Sequence, residues 1–99
     1  NRGGEKISPL EIDNVLMEHE SIEQVVTFGV KDKMLGETVG VAIVIKKGAE
    51  CSDKEIRNYA RMHLADFKIP KHICFLDEIP KGATGKMQRI GLSKKLGLE

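Results

Sequence analysis

The sequence predicts an α+β domain, in which a small, at least partly antiparallel sheet of about three strands has helices packed against it. Helical periodicity in residues 9–19 and 52–64 predicts the main helices. Runs of apolar and β-branched residues at 22–30, 39–45 and 72–76 predict the strands. The 99 residues are enough for one hydrophobic core, so we expect a single domain that spans the whole chain.

The first predicted helix begins with a capping pattern. Ser8 precedes Pro9, which suits the first helical position, and Glu11 completes a capping box. The apolar residues that follow share one helical face: Ile12, Val15 and Leu16. We therefore expect a short amphipathic helix over residues 9–19.

Two strands are predicted to follow this helix. In residues 22–30 the side chains of Val26, Phe28 and Val30 alternate with others and so share one face. The polar segment 31–37 is interpreted as a connecting loop. Residues 39–45 are apolar on both faces, which suits a central strand that helices cover on one side.

The second half of the chain contains the clearest helix. Ser52 and Glu55 form another capping-box pattern. The following residues recur at helical spacing: Ile56, Tyr59, Ala60, His63 and Leu64. A third strand is then predicted at 72–76, a loop at 80–86 and a short final helix at 88–96.

Charge and composition narrow the function classes. The 16 basic and 15 acidic residues nearly cancel, which argues against a general nucleic-acid binder. The distribution is uneven, because residues 1–67 carry 9 Lys/Arg against 12 Asp/Glu whereas residues 68–99 carry 7 against 3. The C-terminal third is therefore either a solvated basic surface or a surface that meets an anion such as phosphate. No apolar run approaches the ~20 residues of a membrane span, so we expect none.

Cysteines and histidines do not form a metal-binding pattern in the sequence. Cys51 and Cys74 are 23 residues apart and form no CxxC pair. Cys74 lies in an apolar run and is expected to be a buried, inert thiol. His19, His63 and His72 have no second histidine or carboxylate at ligand spacing. We therefore predict no metal site, and structural or surface roles for the histidines.

The segment 80–87, Pro-Lys-Gly-Ala-Thr-Gly-Lys-Met, is the most informative. Its two glycines allow close backbone approach and precede Lys86, whose compact charge suits phosphate or carboxylate. A Walker A loop would need glycine at Pro80 and Ser or Thr at Met87, so that interpretation fails. The GXXG tetrad also occurs between two helices in RNA-binding KH domains, but here a strand and a proline precede it. A surface turn with an exposed lysine is the structural alternative.

A second glycine-bearing segment opens the chain. Arg2 and Lys6 flank Gly3 and Gly4 just ahead of the first helix. Backbone at such a place can press against an extended ligand or a phosphate. By itself the pattern also fits a plain turn.

Three segments, taken in order, resemble consecutive motifs of one family, the adenylate-forming, acyl-activating enzymes. They are Asn-Arg-Gly-Gly-Glu-Lys-Ile-Ser-Pro-Leu-Glu-Ile-Asp at 1–13, Leu-Ala-Asp-Phe-Lys-Ile-Pro at 64–70, and the segment from Pro80 to Arg89 that contains Gly-Lys-Met-Gln-Arg. This family includes acyl-CoA synthetases, luciferases and the adenylation domains of peptide synthetases. The resemblance covers nearly the whole chain but only the small C-terminal domain of the family. It implies the mobile lid of a larger AMP-forming ligase, whose N-terminal domain and hinge would lie upstream of Asn1.

The resemblance implies an acid–thiol ligase, an ATP-dependent carboxylic acid–CoA ligase of the kind found in fatty acid metabolism. A carboxylate would attack the α-phosphate of ATP to give an acyl-adenylate and pyrophosphate, and the thiol of CoA would then displace AMP after the lid rotates. Lys86 matches the catalytic lysine of adenylation. Gly3 and Gly4 match the turn that lines the pantetheine tunnel, and Lys6 matches a position in polar contact with the nucleotide or CoA.

The same resemblance implies the cofactors and partners. The cofactors are CoA and ATP, with magnesium held through the N-terminal domain. The partners are the carboxylic acid and the N-terminal domain itself, and no nucleic acid is expected. The isolated chain is expected to be inactive, because it lacks the ATP and acid pockets.

The sequence leaves the acid and the acceptor open. The Arg-Gly-Gly-Glu-Lys-Ile motif resembles one that also occurs in ligases that load aryl acids onto carrier proteins. The Gly-Lys-Met-Gln-Arg motif is more similar to that of the CoA ligases, including the oxalate and medium-chain type of plants and fungi. A small basic RNA-binding module is a second alternative, although one Tyr, three Phe and no Trp offer few stacking residues. The chain ends in Leu98 and Glu99 rather than Ser-Lys-Leu, so we expect the cytoplasm, with peroxisome and mitochondrion left open.

Overall fold

A three-stranded mixed sheet organises the chain in a computed structural model that describes residues 7–82, 85 and 89–99. The described elements, in chain order, are α1 Pro9–Met17, β1 Ile22–Asp32, β2 Gly36–Ile45, α2 Asp53–His63, a short 3₁₀ turn Asp66–Lys68, β3 His72–Phe75 and α3 Leu92–Lys95. The strand order is β1-β2-β3. β1 and β2 pair antiparallel, whereas β2 and β3 pair parallel across the crossover that contains α2. The predicted α+β class with a partly antiparallel sheet is confirmed.

Apolar side chains form a separate core on each face of β2, because successive residues of a strand point to opposite faces. The first core joins β1 and β2 to the apolar stripes of both long helices, through Ile12, Leu16, Val25, Val39, Val41, Ile43, Ile56 and Ala60. The second core contains the remaining strand residues and two residues from the C-terminal third: Val26, Phe28, Val30, Ala42, Val44, Ile79 and Leu92. The prediction that β2 is central and that Val26, Phe28 and Val30 share a face is confirmed.

Both long helices begin at the predicted serines. The Ser8 hydroxyl accepts a hydrogen bond from the Glu11 backbone N–H at 3.4 Å, and the Ser52 hydroxyl accepts one from the Glu55 N–H at 3.2 Å. The two glutamate side chains take other partners than the cap. The Glu11 carboxylate lies 2.7 Å from Lys68 Nζ, and the Glu55 carboxylate accepts from a thiol. α1 ends at Met17, two residues earlier than predicted.

The predicted loop 31–37 is shorter in the structure and covers residues 33–35, because β1 continues to Asp32 and β2 begins at Gly36. The turn between them is stabilised by Asp32, whose Oδ1 accepts the backbone N–H groups of Met34 and Leu35, each at 2.9 Å. These two bonds, and then the Lys71 side chain 3.3 Å away, hold the pKa of Asp32 below its usual range. Gly36 has a φ of +82°, which glycine adopts without strain.

The predicted final helix over 88–96 is much shorter in the structure. α3 covers only Leu92–Lys95, because Gly91 before it has a φ of +78°, a left-handed conformation that cannot continue a right-handed helix. Residues 86–88 lie outside the described part of the chain.

Cys74 is half-buried rather than buried, because β3 is an edge strand of the sheet. The partial burial still raises the pKa of its thiol. Among the described residues, no helix combines the length and the apolar character needed to cross a membrane.

The packing of β1 against β2 yields a test at two glycines. A methyl group on Gly40 would meet the Phe28 ring at 2.6 Å and Val30 at 2.9 Å, both in the second core. On Gly29 the three nearest atoms would all belong to the carboxylate end of the exposed Glu37, which is the far end of a flexible side chain. Overpacking of a core costs roughly 1–3 kcal/mol. We expect Gly40→Ala to lower the free energy of unfolding by about that amount, measured by urea denaturation, and Gly29→Ala to cost much less. Equal losses in the two variants would contradict the described register.

Candidate functional site

The four residues predicted to carry the chemistry lie outside the described residues: Gly3, Gly4, Lys6 and Lys86. The structure does describe the segments from which they extend. Ile7 directly follows Lys6 in the chain, and Gly85 and Arg89 stand one residue before and three residues after Lys86. These attachment points define where the two candidate loops leave the fold.

The loop that contains Lys86 is anchored in the second core at both ends. Ile79 is 1% exposed and Leu92 is fully buried, and both pack against β1 and β2 side chains. Just ahead of Lys86, the Gly85 N–H donates to the Gly82 carbonyl at 3.0 Å, which closes a tight turn. Gly85 has a φ of +81°, so this turn requires a residue without a Cβ. In the sequence, Lys86 directly follows this constrained turn.

Arg89 ties the other side of this loop to α1 and β1. Its guanidinium donates through Nη1 to the Thr27 backbone carbonyl and through Nη2 to Asp13 Oδ2, the latter at 2.8 Å. The other carboxylate oxygen of Asp13, Oδ1, accepts the Thr27 backbone N–H at 2.8 Å. Three segments that are distant in sequence thus meet at one polar cluster, which we call the Arg89 clamp: Asp13, the Thr27 backbone and Arg89.

The Arg89 clamp provides partners both for a buried carboxylate and for backbone groups at the edge of the sheet. Asp13 is only 9% exposed, and a buried carboxylate is costly unless it is paired and hydrogen-bonded. Among the described strands β1 lies at an edge of the sheet, so its outward backbone groups have no described strand to pair with. Asp13 satisfies the Thr27 N–H and Arg89 satisfies the Thr27 carbonyl, so the clamp replaces a missing strand at this point.

The stems of both candidate loops lie along the same pair of strands. Arg89, Phe28, Gly29 and Glu37 line a cleft of about 390 Å³. A smaller cavity of about 40 Å³ is lined by Ile7 and by the same three strand residues. Ile7 and Arg89, the described residues that follow the two candidate loops, therefore both lie along the β1–β2 hairpin.

Much of the basic surplus of the C-terminal third is neutralised within the fold. Lys68 pairs with Glu11 at 2.7 Å, Lys71 with Asp32 at 3.3 Å, and Arg89 with Asp13. Each pair joins a cation from residues 68–99 to a carboxylate from residues 11–32. The uneven charge of the sequence thus partly reflects ion pairs between its two ends, which weakens the case for a nucleic-acid surface.

One group of potential metal ligands was not anticipated from the spacing of residues. His19, Cys51 and Glu55 place one donor atom each within 4.8 Å of one another, because the end of α1 packs beside the start of α2. Each donor already has a partner: the Ser21 N–H donates to His19 Nδ1 at 3.1 Å, and the Cys51 thiol donates to Glu55 at 3.5 Å. Burial, and then Glu55, raise the pKa of Cys51 to about 11. A metal ion bound to the thiolate would have to displace the hydrogen bond from the Cys51 thiol to Glu55 and the thiol proton.

Arg89 belongs to a motif recognised in the sequence, but the sequence did not predict its partners, Asp13 and Thr27. The signal that could have found them is Asp13, a carboxylate beside Ile12 and near Leu16 on the buried side of α1. A charge at such a position needs a cation or hydrogen-bond donors, and the sequence offers no local one.

Comparison with known proteins gives a consistent result. The sequence model of the AMP-binding enzyme C-terminal domain matches residues 11–86, a range that ends on Lys86. The chain is 52% identical over 89 residues to an oxalate–CoA ligase of Saccharomyces cerevisiae, covering 90% of this chain and 16% of that protein. It is 45% identical over 87 residues to a long-chain-fatty-acid–CoA ligase of Bacillus subtilis, covering 88% of this chain and 16% of that protein.

Solved structures share the fold as well as the sequence pattern. The apo crystal structure of MatB from Rhodopseudomonas palustris superposes with a TM-score of 0.88 at 29% identity, covering 95% of this chain and 19% of that one. The o-succinylbenzoate CoA synthetase of Bacillus subtilis gives 0.84 at 32% identity, covering 94% of this chain and 19% of that one. The chain thus spans less than a fifth of the length of these relatives. Its sequence over residues 11–86 and its fold agree on one assignment: the chain belongs to the family of AMP-binding enzyme C-terminal domains, the C-terminal part of the adenylate-forming enzymes.

Proposed function

We propose that this chain is the lid domain of a larger ATP-dependent, AMP-forming carboxylic acid–CoA ligase. The observation that carries the proposal is the family match through Lys86, on a loop that the fold anchors at Ile79, Arg89 and Leu92. The relatives in sequence are named as CoA ligases, which favours CoA over a carrier protein as the acceptor. An RNA-binding module is not favoured, since the basic residues of its surface are partly paired.

In the proposed reaction, Lys86 acts in the first half-reaction. Attack of the substrate carboxylate on the α-phosphate of ATP builds negative charge on the phosphate oxygens. A cation held in place stabilises that charge more than it stabilises the ground state. Lys86 follows a tight glycine turn that is slender enough to enter a cleft between two domains. ATP, CoA and the acid are substrates, and any magnesium would be held through the N-terminal domain.

In the proposed second half-reaction, the lid takes another orientation and the N-terminal loop faces the substrates. Gly3 and Gly4 would line the path of the thiol, where a side chain would obstruct it. Lys6 would make polar contacts with the nucleotide or with CoA. Lid rotations of this kind complete a site for one step at a time. We retain the cytoplasm as the proposed compartment.

The proposal can be tested in a hybrid enzyme, in which this chain replaces the matching segment of the S. cerevisiae oxalate–CoA ligase. At 52% identity, we expect the chain to fold against that body and to support both half-reactions. A folded hybrid that forms neither the adenylate nor the thioester would contradict the proposed function.

Within the hybrid, Lys86→Ala should slow adenylation by roughly 10²–10³-fold, because removal of one aimed charge contact to a transition state costs about that much. Pyrophosphate release measures this step. When preformed acyl-adenylate is supplied, the same variant should form thioester at nearly the parental rate. Lys81→Ala is the matched control, since Lys81 is an exposed lysine of the same loop. Equal effects of the two substitutions, or collapse of both steps in Lys86→Ala, would contradict the role of Lys86.

Gly4→Leu tests the N-terminal loop, and it should impair thioester formation rather than adenylation. The leucine side chain should block the thiol path, so thioester formation from supplied adenylate falls while pyrophosphate release continues. A thermal melt of the variant distinguishes obstruction from misfolding. Loss of both half-reactions at an unchanged melting temperature would show that Gly4 does not serve the second step alone.

A further inference from the structure

The Arg89 clamp holds the chain a short distance after Lys86 in the sequence. Arg89 stands three positions after Lys86, and an extended chain spans at most about 3.3–3.6 Å per residue. A displacement of Arg89 is therefore passed to Lys86 through a backbone span of at most about 11 Å. The next buried residue after Arg89 is Leu92, six positions after Lys86.

The clamp is built so that only a planar, two-pronged cation completes it. The Arg89 guanidinium reaches a backbone carbonyl through one nitrogen and Asp13 through another. A lysine ammonium carries the same charge at a single point and cannot reproduce this fork geometry. Asp13 is itself held in place by the Thr27 N–H, so the carboxylate that receives Arg89 is oriented by the edge strand.

We propose that Arg89, held by Asp13 and the Thr27 carbonyl, is a positioning residue that aims Lys86 during adenylation. This inference rests on the proposed function, because it assigns a supporting role in the same half-reaction. The clamp acts only through Lys86. It should therefore matter for adenylation and not for the transfer of a preformed acyl group to the thiol.

The test uses Arg89→Lys in the hybrid enzyme. Displacement of a reacting group by about 1 Å can cost as much as 10²-fold, so we expect kcat for pyrophosphate release to fall about 10–100-fold with little change in the KM for ATP. Asp13→Asn keeps the side-chain shape and an oxygen that can accept from Thr27, but it weakens the bond to Arg89. It should produce the same selective loss and provides a second variant if Arg89→Lys unfolds.

A matched control breaks another ion pair of the same helix. Glu11 of α1 pairs with Lys68 at 2.7 Å, and neither residue belongs to the Arg89 clamp. Lys68→Ala removes that pair and should leave adenylation within about twofold of the parent. A loss of adenylation in Lys68→Ala as large as in Arg89→Lys would show that any loosening of α1 is sufficient, and would overturn the proposal.

A double variant separates positioning from a merely structural role. If Arg89 acts through Lys86, Arg89→Lys should add no further loss in a Lys86→Ala background, because the aimed group is already gone. Additive losses, or equal slowing of both half-reactions by Arg89→Lys, would overturn the inference. If instead Lys86→Ala alone leaves adenylation intact, the proposed function fails rather than the positioning role.

Discussion

The structure depends on one constraint, the burial of β2 on both faces. Val41, Ala42 and Ile43 are fully buried, so each face of the central strand needs its own covering layer. The two long helices cover one face, and the segments that flank the Lys86 loop cover the other. Because the second layer consists of Ile79, Leu92 and their neighbours, packing of the core also fixes the two ends of the candidate catalytic loop.

The outer edge of the sheet presents the second constraint. Within the described part of the chain β1 has a strand partner on one side, and two side chains from opposite ends of the sequence bind its other side at Thr27. Asp13 comes from the first helix, and Arg89 comes from the segment just after Lys86. An interaction that closes a sheet edge is therefore also the interaction that joins the start of the domain to the candidate loop.

The sequence predicted the elements well and their long-range polar contacts poorly. Apolar periodicity located all three strands and both long helices, and serine caps located the helix starts within a residue. The length of the last helix was overestimated, because apolar spacing does not reveal that Gly91 adopts a left-handed conformation. The burial of Cys74 was overestimated for a different reason, since strand order decides which strand is at an edge.

For the candidate site too, the sequence predicted individual residues but not their contacts. Motif resemblance predicts Lys86, Gly3, Gly4 and Lys6 as site residues, but these residues make no pattern from which their surroundings could be inferred. The pairing of Asp13 with Arg89 spans 76 positions, and the grouping of His19 with Cys51 and Glu55 depends on how α1 packs beside α2. Such contacts arise only once the sheet has brought the elements together, so they cannot be predicted from local helix or strand propensity.

The central claim is that this domain presents Lys86 to the substrates for adenylation and withdraws it for thioester formation. The most direct measurement is the acylation rate of individual lysines in the hybrid enzyme, read by mass spectrometry. With a stable acyl-adenylate analogue, Lys86 should be protected relative to the enzyme alone, and addition of CoA should restore its reactivity, while Lys81 stays reactive throughout. The claim would be contradicted if the analogue did not protect Lys86, or if the protection persisted unchanged when CoA was added.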